Sequence, residues 1–162
     1  MTMDQQTMTR TTLRVAGVDD AEEIAALISR VAVETFLAGV ADERRRYFLA
    51  MNTGPAVAGR LRDEAYRYHV AEHDGIVVGV VGMRGNLHVY DLYVDTSLHG
   101  QGIGRQLWEH ARRDCLRLGN RGHFTVNSRP NAVPAYQSFG FVPSGEECER
   151  HGMPVQPMTL DG

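Results

Sequence analysis

The segment from His88 to Trp108, HVYDLYVDTSLHGQGIGRQLW, constrains this chain more than any other. An alternating apolar stretch stops at Asp95-Thr96-Ser97. A glycine-rich loop, His99-Gly100-Gln101-Gly102-Ile103-Gly104, then opens straight into a helical pattern. A strand that delivers such a turn to a helix N-terminus makes an anion-binding device. Free N–H groups and the helix dipole point at the bound group, and glycines let a phosphate approach. No Gly-Lys-Ser/Thr follows, so this is not a Walker loop. Gly100, Gly102 and Gly104 alternate, with Arg105 next, which departs from the dinucleotide pattern Gly-x-Gly-x-x-Gly. A dinucleotide fold also places its turn after the first strand, not past the middle of the chain. A plain glycine-rich connection between strand and helix is the competing explanation.

The chain has 162 residues, 43% hydrophobic and 23% charged, which suits one globular domain with a real core. We expect residues 1–9 to form a flexible tail and residues 10–162 a single domain. The net charge of −3 and the lack of a large basic block argue against nucleic acid as a partner. Arg44-Arg45-Arg46 follows Asp42-Glu43 and reads as a solvated helix face. All 17 basic residues are Arg, so no lysine can act as a base or Schiff-base former. Cys115 and Cys148 show no metal-type or redox spacing, and Cys115 falls on the apolar side of a predicted helix. No apolar run approaches the ~20 residues that span a bilayer, and the first residues lack the apolar core of a signal peptide. The expected setting is therefore a reducing cytoplasm, away from membranes.

Local patterns give the element order. Thr11 to Val15 predicts a strand. Val18-Asp19-Asp20 starts a helix, with an acidic N-cap and Ile24, Leu27, Ile28, Val31 and Phe36 at helical period, ended by Gly39. Asp42 to Met51 predicts a second helix, broken by Asn52 to Pro55, and Ala56 to Arg62 a short third. Arg67 to Glu72, Ile76 to Met83 and Leu87 to Val94 predict an antiparallel meander, turning at His73-Asp74-Gly75 and Arg84-Gly85-Asn86. A helix over Ile103 to Leu118 follows, with Ile103, Leu107, Ala111, Cys115 and Leu118 on one face and Gly119-Asn120 as its stop. His123 to Asn127 predicts a strand, Asn131 to Phe139 a short helix, and Gly140-Phe141 the start of a last hairpin. Met153 to Leu160 returns as a strand that Pro154 and Pro157 mark as irregular or at an edge. His69 and His73 are four apart but on a strand and its turn, so no metal site is expected.

This order resembles the GNAT superfamily of acyl-coenzyme A-dependent N-acetyltransferases over about Leu13 to Leu160. Two motifs carry the resemblance. Leu92-Tyr93-Val94-Asp95 with the loop His99 to Gly104 is similar to the family's Arg/Gln-x-x-Gly-x-Gly/Ala loop. Asn131 with Ala135-Tyr136-Gln137-Ser138-Phe139-Gly140-Phe141 is similar to its Ala…Tyr-x-x-x-Gly-Phe segment. The implied fold is α/β (α+β): a mixed, mostly antiparallel twisted sheet of about six or seven strands flanked by about four helices.

The resemblance implies acetyl-CoA as acyl donor. Its pyrophosphate would meet the backbone N–H groups of Gln101, Gly102, Ile103, Gly104 and Arg105, with His99 and Gly100 also in the cofactor-binding loop. Its pantetheine arm would lie along Leu92, Tyr93 and Val94 as an added strand. Arg105 or Arg112 would reach the ribose phosphate. Two positions depart from the family pattern: His99 opens the loop in place of Arg or Gln, and Arg129 stands where an Asn is common. The cofactor-contacting Asn is then Asn127 or Asn131, the latter also suited to an N-cap.

Transfer to an amine needs a base for the ammonium, a polarised carbonyl and an acid for the leaving thiolate. Tyr136 matches the family's general acid, and an amide near Leu92 or Tyr93 can polarise the carbonyl. Strand alternation without a bulge puts His88, Tyr90, Leu92 and Val94 on one face and Asp91 and Tyr93 on the other. His88 sits six positions before Val94, where some relatives carry a glutamate base, and an imidazole suits that task. Glu34, Asp91 or water are the alternatives. Acceptor choice should lie with Val33 to Tyr47 and Ser144 to Val155. There Phe36, Tyr47 and Phe48 offer an apolar wall. Glu146, Glu147 and Glu149 either attract a cation or form an exposed acidic hairpin. The expected partner is a small-molecule amine or a peptide N-terminus, and the resemblance carries over a homodimer. A non-catalytic acyl-CoA-binding or regulatory module on the same scaffold is the rival reading.

Overall fold

The computed structural model describes residues 11–162, so the expected tail over 1–9 lies outside the described residues. Among them, eight strands and five α-helices alternate as β1 (Thr11–Val15), α1 (Ala21–Ala32), α2 (Asp42–Ala50), α3 (Gly54–Arg62), β2 (Tyr66–His73), β3 (Ile76–Arg84), β4 (His88–Val94), α4 (Ile103–Arg117), β5 (His123–Ser128), α5 (Val133–Ser138), β6 (Val142–Pro143), β7 (Cys148–Arg150) and β8 (Met153–Asp161). The sheet runs β1-β2-β3-β4-β5-β8-β6, with β7 also on β8. Only the β4–β5 pairing is parallel; the other pairings are antiparallel. The mixed, mostly antiparallel sheet is the one expected, with the final hairpin split into more and shorter strands.

Residues 77–83 of β3 are all buried because the sheet is covered on both faces. On one face Ile24, Leu27, Ile28, Val31, Phe48 and Val57 from α1–α3 pack on Tyr68, Val70 and Val80. On the other, Ile103, Leu107, Trp108 and Cys115 of α4 pack on Val78, Val81, Val89, Phe124 and Phe141. Asp74 (φ 52°) and Gly75 (φ 79°) make the two-residue turn that joins β2 to β3.

Four local expectations need correction. Asp20 does sit at the N-cap of α1, but its side chain does not cap the helix: it accepts from Arg14 and from the Gly17 N–H, after a 3₁₀ turn over Val18–Asp20. Gly54-Pro55 does not merely break α2; it opens α3, with the Thr53 hydroxyl as cap and Pro55 in the first turn, where its missing N–H costs nothing. Leu118 is 49% exposed, since α4 has already ended at Arg117. Finally, β8 is not an edge. It has β5 on one side and β6 and β7 in turn on the other, and Pro157 falls in the gap where pairing passes from β7 to β6.

Candidate active site

The site begins with a miscount between two strands. Gly82 pairs with Asp91 and Met83 with Val89, so Tyr90 is an extra residue in β4. Such a bulge bends the strand and exchanges faces on either side of it. The alternation expected without a bulge is therefore wrong. Val89, not His88, shares the α4 face with Leu92 and Val94, and His88 joins Asp91 and Tyr93 on the α1 face.

The bend also ends the contact with β5. The two strands pair only at His88↔Thr125 and Val89↔Val126. Beyond that seam they splay around a cavity of about 580 Å³ that runs from His88 to His99 and takes in Tyr136. The Asp95 N–H donates to the Val78 carbonyl at 2.8 Å, so Tyr93 and Asp91 are the residues whose backbone faces β3 in the alternating ladder. Leu92 and Val94 turn their N–H and C=O groups to the gap. Tyr93 lends the cavity its ring, while its amide is committed to β3. Of the two amides considered for carbonyl polarisation, only that of Leu92 is open.

At its far end β4 leads through a 3₁₀ turn (Thr96–Leu98) into the glycine loop. Gly102 is the N-cap of α4 at φ 83°, a conformation costly for any residue with a Cβ, and no side chain caps the helix. The first intrahelical bond runs from Gln106 N–H to the Gly102 carbonyl. The amides of Ile103, Gly104 and Arg105 therefore lack helical acceptors. Around Gly100 and Gly102 the space where a side chain would project is empty, and a Cβ at Gly104 would lie 3.8 Å from the Val94 side chain. Two loop side chains are already occupied. His99 Nε2 lies 2.8 Å from the Val94 carbonyl, and Arg105 donates to the Ser138 carbonyl at 3.0 Å with its guanidinium over the Phe139 ring. Arg105 is thus held on α5.

Tyr136 projects from α5 between Phe139 and Phe141, its ring edge-on to both. It is 7% exposed, and its hydroxyl has no hydrogen-bond partner among the described residues. Burial, then the nearby Asp91 charge, holds its proton well above the ordinary phenol range. Asn127 and Asn131 both line the cavity. Asn131 caps no helix: the 3₁₀ turn Pro130–Ala132 starts after Arg129, and Ala132 precedes α5.

The opposite end of the cavity is built from side chains. His88 Nδ1 lies 2.7 Å from Thr125 Oγ1. Burial, then Arg84 and Arg150, depress its pKa to about 4, so the ring is neutral at pH 7 and a weak base. Asp91, 7% exposed, forms the floor. It accepts from the Tyr68 hydroxyl at 2.5 Å and lies 3.8 Å from Arg60. Burial raises its carboxyl above the usual range, partly offset by Arg60 and that hydrogen bond. Arg60 also donates to the Met51 carbonyl, to Asn52 Oδ1 and to Tyr68. Gly82 makes room for this network: a Cβ there would sit 2.4 Å from the Tyr68 ring. Glu34 is not in the cavity wall; its carboxylate accepts from the Thr96 hydroxyl. Phe36, Tyr47 and Phe48 do form a wall, and Arg129 lies over the Phe36 and Phe48 rings at 4.8 and 5.7 Å. Glu146, Glu147 and Glu149 stay outside, whereas Arg150 and His151 of the same hairpin line the cavity.

Among the described residues no group of three or more His, Cys, Asp or Glu side chains is placed to hold a metal. No helix among them is long and apolar enough to cross a membrane. Sequence reasoning missed Arg84, Arg150 and the Arg60–Tyr68–Asn52 network. These come from separate segments with no shared local pattern, and only the fold joins them.

A splayed parallel pair, a bulged strand with an open ladder and a glycine loop on a helix define the class. The sequence profile described as "Acetyltransferase (GNAT) domain" matches residues 24–161, and the chain belongs to this acetyltransferase family. A GCN5-related N-acetyltransferase from Rhodopseudomonas palustris shares the fold at TM-score 0.77 and 22% identity, over 93% of this chain and 94% of that one. The PaiA N-acetyltransferase of Thermoplasma acidophilum, solved in complex with coenzyme A, matches at TM-score 0.77 and 12% identity, over 94% and 99%. The apo form of YjaB from Escherichia coli matches at TM-score 0.67 and 25% identity, over 93% and 96%. No curated protein matches the chain.

Proposed function

We propose that the protein transfers the acetyl group of acetyl-CoA to a primary amine, by direct attack with both substrates bound. The observation that carries this reading is the open ladder of Leu92 and Val94, which ends at the uncapped N-terminus of α4 and shares one cavity with Tyr136. The fit is good. The Leu92 N–H and C=O and the Val94 N–H can pair with the amides of an extended arm, as a sheet edge does, while the Val94 carbonyl is already met by His99. The free amides from Gly102 to Arg105 suit a pyrophosphate, and nothing crowds Gly100 or Gly102.

Acetyl-CoA would supply the acetyl group as an activated thioester. The Leu92 N–H is the available donor toward its carbonyl oxygen. Tyr136 stays protonated at neutral pH and, with a hydroxyl unpartnered among the described residues, serves as the acid that protonates the departing sulfur, though burial makes it a weaker acid than a free phenol. His88 accepts a proton from the acceptor ammonium only weakly at a pKa of about 4, so Asp91, whose carboxyl burial makes more basic, shares the task. Asn127 or Asn131 meets the cofactor from the β5 side.

Calorimetric titration with acetyl-CoA tests the donor: saturable binding is expected, and none at tens of micromolar would sink the reading. Thiol release with an amine panel tests the transfer itself. Binding without release for any amine would leave a sensor module instead.

A further inference from the structure

The two chemistries of the cavity lie far apart. From His88 to Val94, β4 covers roughly 20 Å at about 3.3 Å per residue, with the glycine loop beyond Val94. Charges beside His88 therefore do not serve a pyrophosphate held at that loop.

Those charges are one-sided. Arg84 (β3), Arg129 (after β5) and Arg150 (β7) line the cavity together with His88 and His151, and among the described residues Asp91 is the only carboxylate in the wall. Asp91 is already held by Tyr68 and Arg60. Arg84, Arg129 and Arg150 make no ion pair among the described residues, and what sets them apart from the other unpaired arginines is that they meet at one cavity. Arg84 is steadied on the Tyr90 ring at 5.5 Å and Arg129 on Phe36. The hairpin that carries Arg150 is docked by His151 against Tyr47, 5.2 Å between ring centroids. Arg84 and Arg129, each held on an aromatic ring, and the exposed Arg150 on the facing hairpin bring more positive charge to this end of the cavity than Asp91 can balance, which favours an anion. Phe36, Tyr47, Phe48 and Met51 line the same cavity.

Given that the protein is an N-acetyltransferase, we infer that its acceptor is a primary amine that also carries an anionic group, carboxylate or phosphate, beside an apolar body. Arg84 and Arg150 hold the anion, and the aromatic wall holds the body. The amine is left near Asp91 and His88. A polycationic acceptor is disfavoured by the same charges.

The test compares matched pairs in the thiol-release assay: phenylalanine with phenethylamine, methionine with 3-(methylthio)propylamine, O-phosphoethanolamine with ethanolamine. The anionic member of at least one pair should show kcat/KM about tenfold or more above its neutral-tailed partner, an advantage of about 1.4 kcal/mol. The phosphate and carboxylate arms tell which anion is read. R84Q and R150Q should close the gap by raising KM for the anionic member, with R84K retaining part of it and KM for acetyl-CoA unmoved. Equal or better turnover of the neutral-tailed amines, or a gap that survives both glutamine variants, overturns the inference. Calorimetry with N-acetylphenylalanine reads the anion site directly. No saturable binding there, with acetyl-CoA binding intact, removes the anion site and leaves the transferase. Failure of acetyl-CoA to bind strikes the transferase reading instead.

Discussion

The two ends of the cavity are made of different material. The loop end, from Leu92 to Arg105, offers backbone: open strand amides, uncapped helix amides and glycines at positive φ. The His88 end offers side chains, brought by β3, β4, β5, β7 and the network beneath them. A backbone site is indifferent to most substitutions but sensitive to backbone geometry. A side-chain site behaves the opposite way.

The sharpest contrast should come from the buried network. Arg60→Leu leaves the buried Asp91 without its cation and Asn52 Oδ1 without its donor, and should cost about 3–5 kcal/mol, the scale for breaking a buried pair. Chemical denaturation reads the loss. At a temperature where the variant stays folded, its acetyl-CoA affinity should be near normal, because the damage lies at the other end. Equal loss of cofactor affinity would erase the distinction.

Tyr136→Phe should lower kcat about a hundredfold, the scale of a lost general acid, with little change in acetyl-CoA affinity. Full turnover at every pH would remove Tyr136 from the chemistry. Gly102→Val tests the loop end. A non-glycine residue in the left-handed region costs roughly 1–2 kcal/mol, so acetyl-CoA should bind roughly tenfold more weakly. Gln101→Ala, which keeps the backbone amide, should bind it normally.

The smallest effect is a titration. In the free protein the His88 ring should titrate near pH 4 by NMR, and Arg84→Gln should move the midpoint partway back toward about 6.5, since burial is the larger cause and remains. His69, buried against His110 and Asp114, is likewise lowered to about 4 by burial and the His110 charge. In both cases the unfolded ring binds its proton more readily than the folded one. Stability is therefore full above about pH 6.5 and falls as pH drops from there toward 4. His69→Gln should flatten that slope in a pH series of denaturation curves.

The same contrast explains how far the sequence could be read. The loop end has a local signature, since glycines at alternate positions before a helix follow from what the backbone must do there. The meander was also legible from β-branched runs and from Asp74-Gly75. The face of His88 was not, because the bulge at Tyr90 arises from how β4 registers on β3, and no residue type in β4 announces it. Arg84, Arg129 and Arg150 lie on segments up to 66 positions apart in the chain. Each alone reads as a solvated arginine. Nor could the Pro154 and Pro157 pattern reveal that β8 is flanked on both sides, because its partners change along its length.

The two-residue seam between β4 and β5 has a thermodynamic side as well. One half of the sheet meets the other through His88↔Thr125 and Val89↔Val126, and past them the ladder stops. A ligand that bridges the opening braces both halves at once and binds only the folded chain. By mass action, a free ligand at a hundred times its dissociation constant adds about 2.7 kcal/mol to the folded state. On the proposed reading that this ligand is acetyl-CoA, the melting temperature becomes a gauge of cofactor supply, and the chain without it is the one most exposed to unfolding and proteolysis.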